Sequence, residues 1–245
     1  MPSDPLAPLL DLADVAPALD RARAAVDAAM RHRALRRSGG PVAAEVALRT
    51  SVASAALDTH GFDLEGVRAG VVTDPVVHGA LRATAALDGL TGTWPKAPRQ
   101  VLAKLHTLVA RDVVAPAELG RPLDPGTAPR LDALAALVSG ATSAPVLLQA
   151  AVVHGELLAL KAFAGPNGVV ARAAARLTLV AGGLDPRGLL AMDVGHRSRE
   201  PEYVGAANAF ATGTPDGLRS WLRHYAAAAE RAAEELGEIC EQVTA

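Results

Sequence analysis

The chain has 245 residues, half of them hydrophobic, with a formal net charge of -2. That balance excludes a general electrostatic attraction to nucleic acid or to an anionic membrane, and the length leaves ample apolar material for a core. Because aromatics make up only 3% and Ala, Leu and Val carry the apolar share, close-packed helices are expected and not sheets.

Asp14 to Arg37 has apolar residues at helical spacing (Val15, Leu19, Ala22, Val26, Met30) and reads as one long helix that stops at Ser38-Gly39-Gly40. The basic run Arg31, His32, Arg33, Arg36 and Arg37 reads as its solvated end. Further helices are expected over Val42 to Leu57, Pro75 to Leu87 and Pro98 to Arg111, separated by Gly and Pro clusters such as Gly89 to Pro95. From Val113 to Pro129 the pattern lapses into a Pro- and Gly-rich stretch, where a short β-hairpin around Val113-Val114 and Leu119 to Leu123 stays open.

The most hydrophobic part follows. Pro145 to Phe163 and Val169 to Ala181 read as two helices apolar on more than one face, which makes them the expected buried centre, with Gly165-Pro166-Asn167-Gly168 as the break between them. Two last helices are expected near Pro201 to Phe210 and Asp216 to Val243. The single cysteine, Cys240, has no intramolecular partner, no Cys-x-x-Cys spacing points to zinc, and neither a leader pattern nor a long apolar run occurs. A cytoplasmic location, no membrane and no metal site are therefore the expectation.

A helix that starts after Asn167-Gly168 offers outward-pointing amides and the positive end of its dipole to an anion. The residues around it, Lys161-Ala162-Phe163-Ala164-Gly165-Pro166-Asn167-Gly168-Val169-Val170-Ala171-Arg172, resemble the signature of the Fic (Fido) family, H-x-F-x-[D/E]-G-N-G-R-x-x-R. Phe163, Asn167, Gly168 and Arg172 match it. His154, Glu202-Tyr203 and the Trp221-containing helix look like segments that accompany it, and Ser54-x-x-x-Asp58 looks like the family's inhibitory motif, with Asp for Glu and Thr59 for Gly or Asn. The resemblance implies an all-α, Fic-like helical bundle with a small β-hairpin flap as an option. It also implies one domain over 1–245, with N-terminal helices in 1–90 and a core in 96–245.

In the family the signature histidine is the general base for transfer of AMP or another phosphate-containing group to protein hydroxyls. Lys161 stands at that position, and an ammonium with an ordinary pKa of about 10.4 is a poor base at neutral pH unless burial lowers it. Gly165 replaces the acid that holds magnesium, Val169 the phosphate-binding arginine, and Pro166 a loop glycine with an N–H to offer. What survives for phosphate or nucleotide is Asn167, Gly168 and Arg172. Arg172 is expected to pair with Asp58, and His154 to be a hydrogen-bonded core histidine. Asn167 and Gly168 read equally well as a helix cap and a tight turn, and Phe163 reads as core.

The leading expectation is a degenerate Fic-domain protein without adenylyl transfer that binds a protein partner or an anionic ligand. The alternatives are a phosphate-group transferase with altered chemistry at Lys161, which would use ATP with magnesium only if family activity persists, and a purely structural or interaction protein. Nucleic acid is not expected as a partner, and a homodimer stays open.

Overall fold

The computed structural model describes residues 4–244, and among these the chain forms helices, turns and loops without a strand. At the centre, α9 (Val146–Leu160) and α10 (Asn167–Ala181), joined by residues 161–166, pack side by side. α9 is buried on nearly every face, from Leu147 and Leu148 through Ala150 to Gly155 and Leu157, as its unbroken apolar sequence requires. On one side stand α2 (Val15–Ala29), α12 (Glu200–Ala211) and the long α13 (Pro215–Thr244); on the other stand α4 (Gly39–Asp58), α6 (Pro75–Thr91) and α7 (Pro98–Ala110).

Small residues set the spacing. A Cβ on Gly155 would sit 2.8 Å from the Phe210 ring, so α9 and α12 meet only because no side chain is there. The indole nitrogens fasten the layers: Trp221 donates to the Ala151 carbonyl at 2.8 Å and Trp94 to the Thr178 hydroxyl at 3.1 Å. Short helices fill in the rest: α1 (Ala7–Leu10), α3 (Ala34–Arg37), α5 (Leu64–Arg68), α8 (Ala128–Ala136) and α11 (Met192–Arg197). Among the described residues no helix is long and apolar enough to cross a membrane.

Two sequence expectations are corrected, and one option left open by the sequence is resolved. The helix expected over Asp14 to Arg37 breaks after Ala29, because Ala34 and Leu35 turn into a third apolar cluster with Leu236 and Ile239, while the His32 ring accepts from the Ala34 amide at 3.3 Å. Gly39-Gly40 does not stop a helix but opens α4, with Pro41 in the first turn where its missing N–H costs nothing. Across 113–129 the backbone forms two 3-10 turns, Pro116–Glu118 and Pro125–Thr127, in place of the optional hairpin, since Pro116, Pro122 and Pro125 cannot donate to a ladder. This segment still lies over the central loop: the Leu123 amide donates to the Ala162 carbonyl at 2.8 Å.

Candidate functional site

The loop between α9 and α10 is held from beneath. Buried Phe163 stacks on His106, with ring centroids 4.7 Å apart. His106 accepts from the Gly120 amide through Nδ1 at 2.9 Å, which leaves Nε2–H to donate to the Ala164 carbonyl at 2.8 Å. Burial lowers the His106 pKa and favours this neutral form, despite the raising influence of the Ala164 contact and Glu118. Asn167 does not cap α10. Its side-chain oxygen accepts from the Phe163 amide at 3.0 Å and its NH2 donates to the Phe163 and Gly165 carbonyls at 2.6 and 3.0 Å, so the amide is committed to closing the loop. Lys161 ends α9 in the left-handed conformation (φ 45°) and its side chain is exposed, away from any desolvating pocket.

Arg172, one turn into α10, is only 2% exposed and fully engaged. Its Nη2 donates to Asp58 Oδ1 at 2.5 Å and to the Ser54 carbonyl at 2.7 Å; Nε donates to Ser54 Oγ at 2.9 Å, and Nη1 to the Tyr203 hydroxyl at 3.0 Å. Asp193 Oδ1 lies 3.2 Å from Nε, whose hydrogen points to Ser54, so that contact is charge against charge and not a hydrogen bond. Burial opposes the cation, but Tyr203, Asp58 and Asp193 outweigh it and raise the Arg172 pKa. The expected Arg172–Asp58 pair is thus direct, with no room for water between them.

The second oxygen of Asp58 accepts from the Val169 amide at 3.3 Å, so one carboxylate from the end of α4 holds both the arginine and an open amide at the start of α10. Gly168 is what lets it approach: a Cβ there would fall 2.0 Å from Asp58 Oδ1 and 2.9 Å from Arg172 Nη1. The position that an external anion would take at this helix start is filled by the chain's own carboxylate.

Behind Arg172 lies a chamber of rings. His154 Nε2 meets the Tyr203 hydroxyl at 3.1 Å, His196 Nδ1 meets His224 Nε2 at 3.1 Å, and Trp221 and Tyr225 close the sides. Burial, reinforced by Arg172 and the neighbouring rings, pushes the pKa values of His154 and His196 well below the ordinary 6.5; burial takes His224 down to about 4, against the pull of Glu202. Burial likewise raises Tyr203 to about 12. Among the described residues, His154 Nδ1, His224 Nδ1, the Tyr225 hydroxyl and both Asp193 oxygens find no hydrogen-bond partner. Sequence reasoning found His154 and Tyr203 but missed Asp193, His196 and His224. The available signal was Trp221, His224 and Tyr225 at i, i+3 and i+4 on one face of α13.

The residues at the metal position do not suit magnesium. Gly165 faces the Val113 and Val114 methyls, with the space for a Cβ only 3.0 Å from Val114 Cγ1, and Val169 is buried in the apolar core. A hard cation needs oxygen ligands that this environment does not supply. The cavity bordered by Phe163, Gly120 and Pro122 has a volume of about 130 Å³, below the range of small-molecule pockets.

An all-α bundle with this helix, loop and helix at its centre is the Fic fold. A Fic family protein from Desulfovibrio desulfuricans G20 matches 91% of this chain over 74% of its own length, at 21% identity and a TM-score of 0.71. A fragment of Fic-1 from C. elegans matches 96% of this chain over 75% of its own, at 17% identity and a TM-score of 0.74. A variant of that fragment matches 95% over 74%, at 18% and 0.73. No protein-family model and no curated protein matches the sequence. At these identities the likeness carries the fold; the chemistry rests on the residues.

Proposed function

We propose that this chain is a degenerate member of the Fic family that has lost transfer of AMP to proteins and acts by binding a partner protein or an anionic ligand. The observation that carries this reading is the joint change at the signature positions: an exposed Lys161 in the place of the base, Gly165 among valine methyls in the place of the metal acid, Pro166 in the place of a loop glycine, and buried Val169 in the place of the phosphate-binding arginine. The Asp58 carboxylate, seated between Arg172 and the Val169 amide where a phosphate would otherwise be held, further closes the site of the chain as it stands.

Altered catalysis at Lys161 draws no comparable support. A lysine becomes a base or nucleophile near neutral pH through desolvation or a neighbouring cation. Lys161 is exposed on the loop, whereas Arg172 is enclosed behind Asp58. Purified protein incubated with labelled ATP, magnesium or manganese, and cell lysate should leave labelling at background. Robust transfer that disappears in Lys161→Ala would overturn the proposal.

A further inference from the structure

On the side of α10 away from the loop, a groove of about 440 Å³ opens between α4, α6 and the segment before α11. Arg176 reaches into it. It is 7% exposed, and its Nη1 donates at 3.1 Å to the hydroxyl of Thr84, itself hydrogen-bonded to Ser51 at 2.9 Å. Those partners orient the guanidinium but bring no negative charge. Among the described residues no carboxylate lies within 4.0 Å of it; Asp185 and Asp193 act only from farther away, and the Asp185 oxygens are taken by the Leu189 and Leu190 amides at 2.7 and 2.9 Å. Arg172, one turn earlier on the same helix, has two carboxylates in contact. A buried guanidinium without a counter-charge is costly and normally neutralised.

Arg187 also borders the groove; its Nη2 donates to the Leu35 carbonyl at 3.3 Å, and among the described residues no carboxylate lies within 4.0 Å of it. Arg176 and Arg187 therefore both border a space whose remaining walls are largely apolar, from Ala43, Ala47, Leu48, Leu81 and Val180. The volume falls in the range of small-molecule sites, and the planar fork of arginine suits a carboxylate or phosphate. Asp88, exposed on the lining, disfavours polyanions such as nucleoside triphosphates.

We propose that this groove binds a small oxyanion with an apolar arm, its carboxylate or phosphate held by Arg176 and Arg187 and its arm lying on α4 and α6. The site is separate from the α10 N-terminus and does not depend on Asp58. Calorimetric titration with phenyl phosphate and with hexanoate tests it and tells the two head groups apart. Saturable one-to-one binding of either probe is expected, at least tenfold tighter than inorganic phosphate, which lacks the arm. Binding should weaken at least tenfold in Arg187→Ala, vanish in Ala44→Phe, which fills the groove from an exposed position, and persist in Asp58→Ala. Arg176→Met should abolish it; should that variant not fold, the two surface variants decide. Absence of saturable binding for both probes, or binding unchanged in Arg187→Ala and Ala44→Phe, would overturn the proposal.

Discussion

Asp58→Ala tests the centre of the site through stability. It removes the 2.5 Å contact with Arg172 and the acceptor of the Val169 amide, and leaves the guanidinium buried. Cutting one partner of a buried ion pair typically costs about 3–5 kcal/mol. The lower end applies here, because Arg172 keeps Asp193 at 3.2 Å together with its bonds to Ser54 and Tyr203. A loss of about 3 kcal/mol is expected in urea denaturation, with a fall in Tm of about 6–12 °C for a chain of this size. Arg172→Met on its own should also destabilise, and the double variant should lose about 2 kcal/mol less than the sum of the two, since neither leaves the other's charge stranded. A single-variant loss below about 1 kcal/mol, or simple additivity, would refute the reading of Asp58 and Arg172 as one coupled unit.

Gly168→Ala places a methyl 2.0 Å from Asp58 Oδ1 and should cost about 2–3 kcal/mol, much of which disappears in an Asp58→Ala background; an unchanged cost in both backgrounds would contradict the geometry. Stability should also fall with acid. The folded pKa values of His154, His196 and His224 lie below 6.5, so the unfolded chain takes up protons first and the histidine contribution, complete above about pH 7, is lost as the pH falls below 6.5. Asp185, raised to about 6 by burial, works the other way between about 6 and 3.8. Three losses outweigh one gain, so stability should fall from pH 7 to pH 5; a flat or rising denaturation profile would contradict it. Finally, Gly195→Ala, whose Cβ would meet the Ala228 carbonyl at 2.1 Å, should cost more than about 3 kcal/mol, whereas Gly237→Ala, in open space on α13, should gain about 1 kcal/mol in the same assay.

Long amphipathic or wholly apolar runs made α9, α10 and α13 legible in the sequence, because helical periodicity over fifteen residues or more leaves little ambiguity. Short elements were not legible. α11 spans Met192–Arg197 and is fixed by tertiary contact, through the close approach of Gly195 to α13, and so Asp193 and His196 went unnoticed. The glycine pair at 39–40 misled because propensity favours a stop, while burial of Val42 and Val46 favours a helix. Within the site, the Arg172–Asp58 pair followed from the resemblance together with the cost of a buried unpaired guanidinium. The commitment of the Asn167 amide to loop closure, and the chamber behind Arg172, depend on how separate helices meet, which residue spacing does not encode.

On the proposed function, the residues at Lys161, Gly165, Pro166 and Val169 prevent transfer of AMP whether or not Asp58 occupies the site. Labelled ATP with magnesium or manganese, offered to folded Asp58→Ala together with cell lysate, separates these causes most directly. Labelling that stays at background after the carboxylate is removed is the predicted result; transfer that appears on removing Asp58 alone would mean that the remaining residues are catalytically competent and would contradict the account.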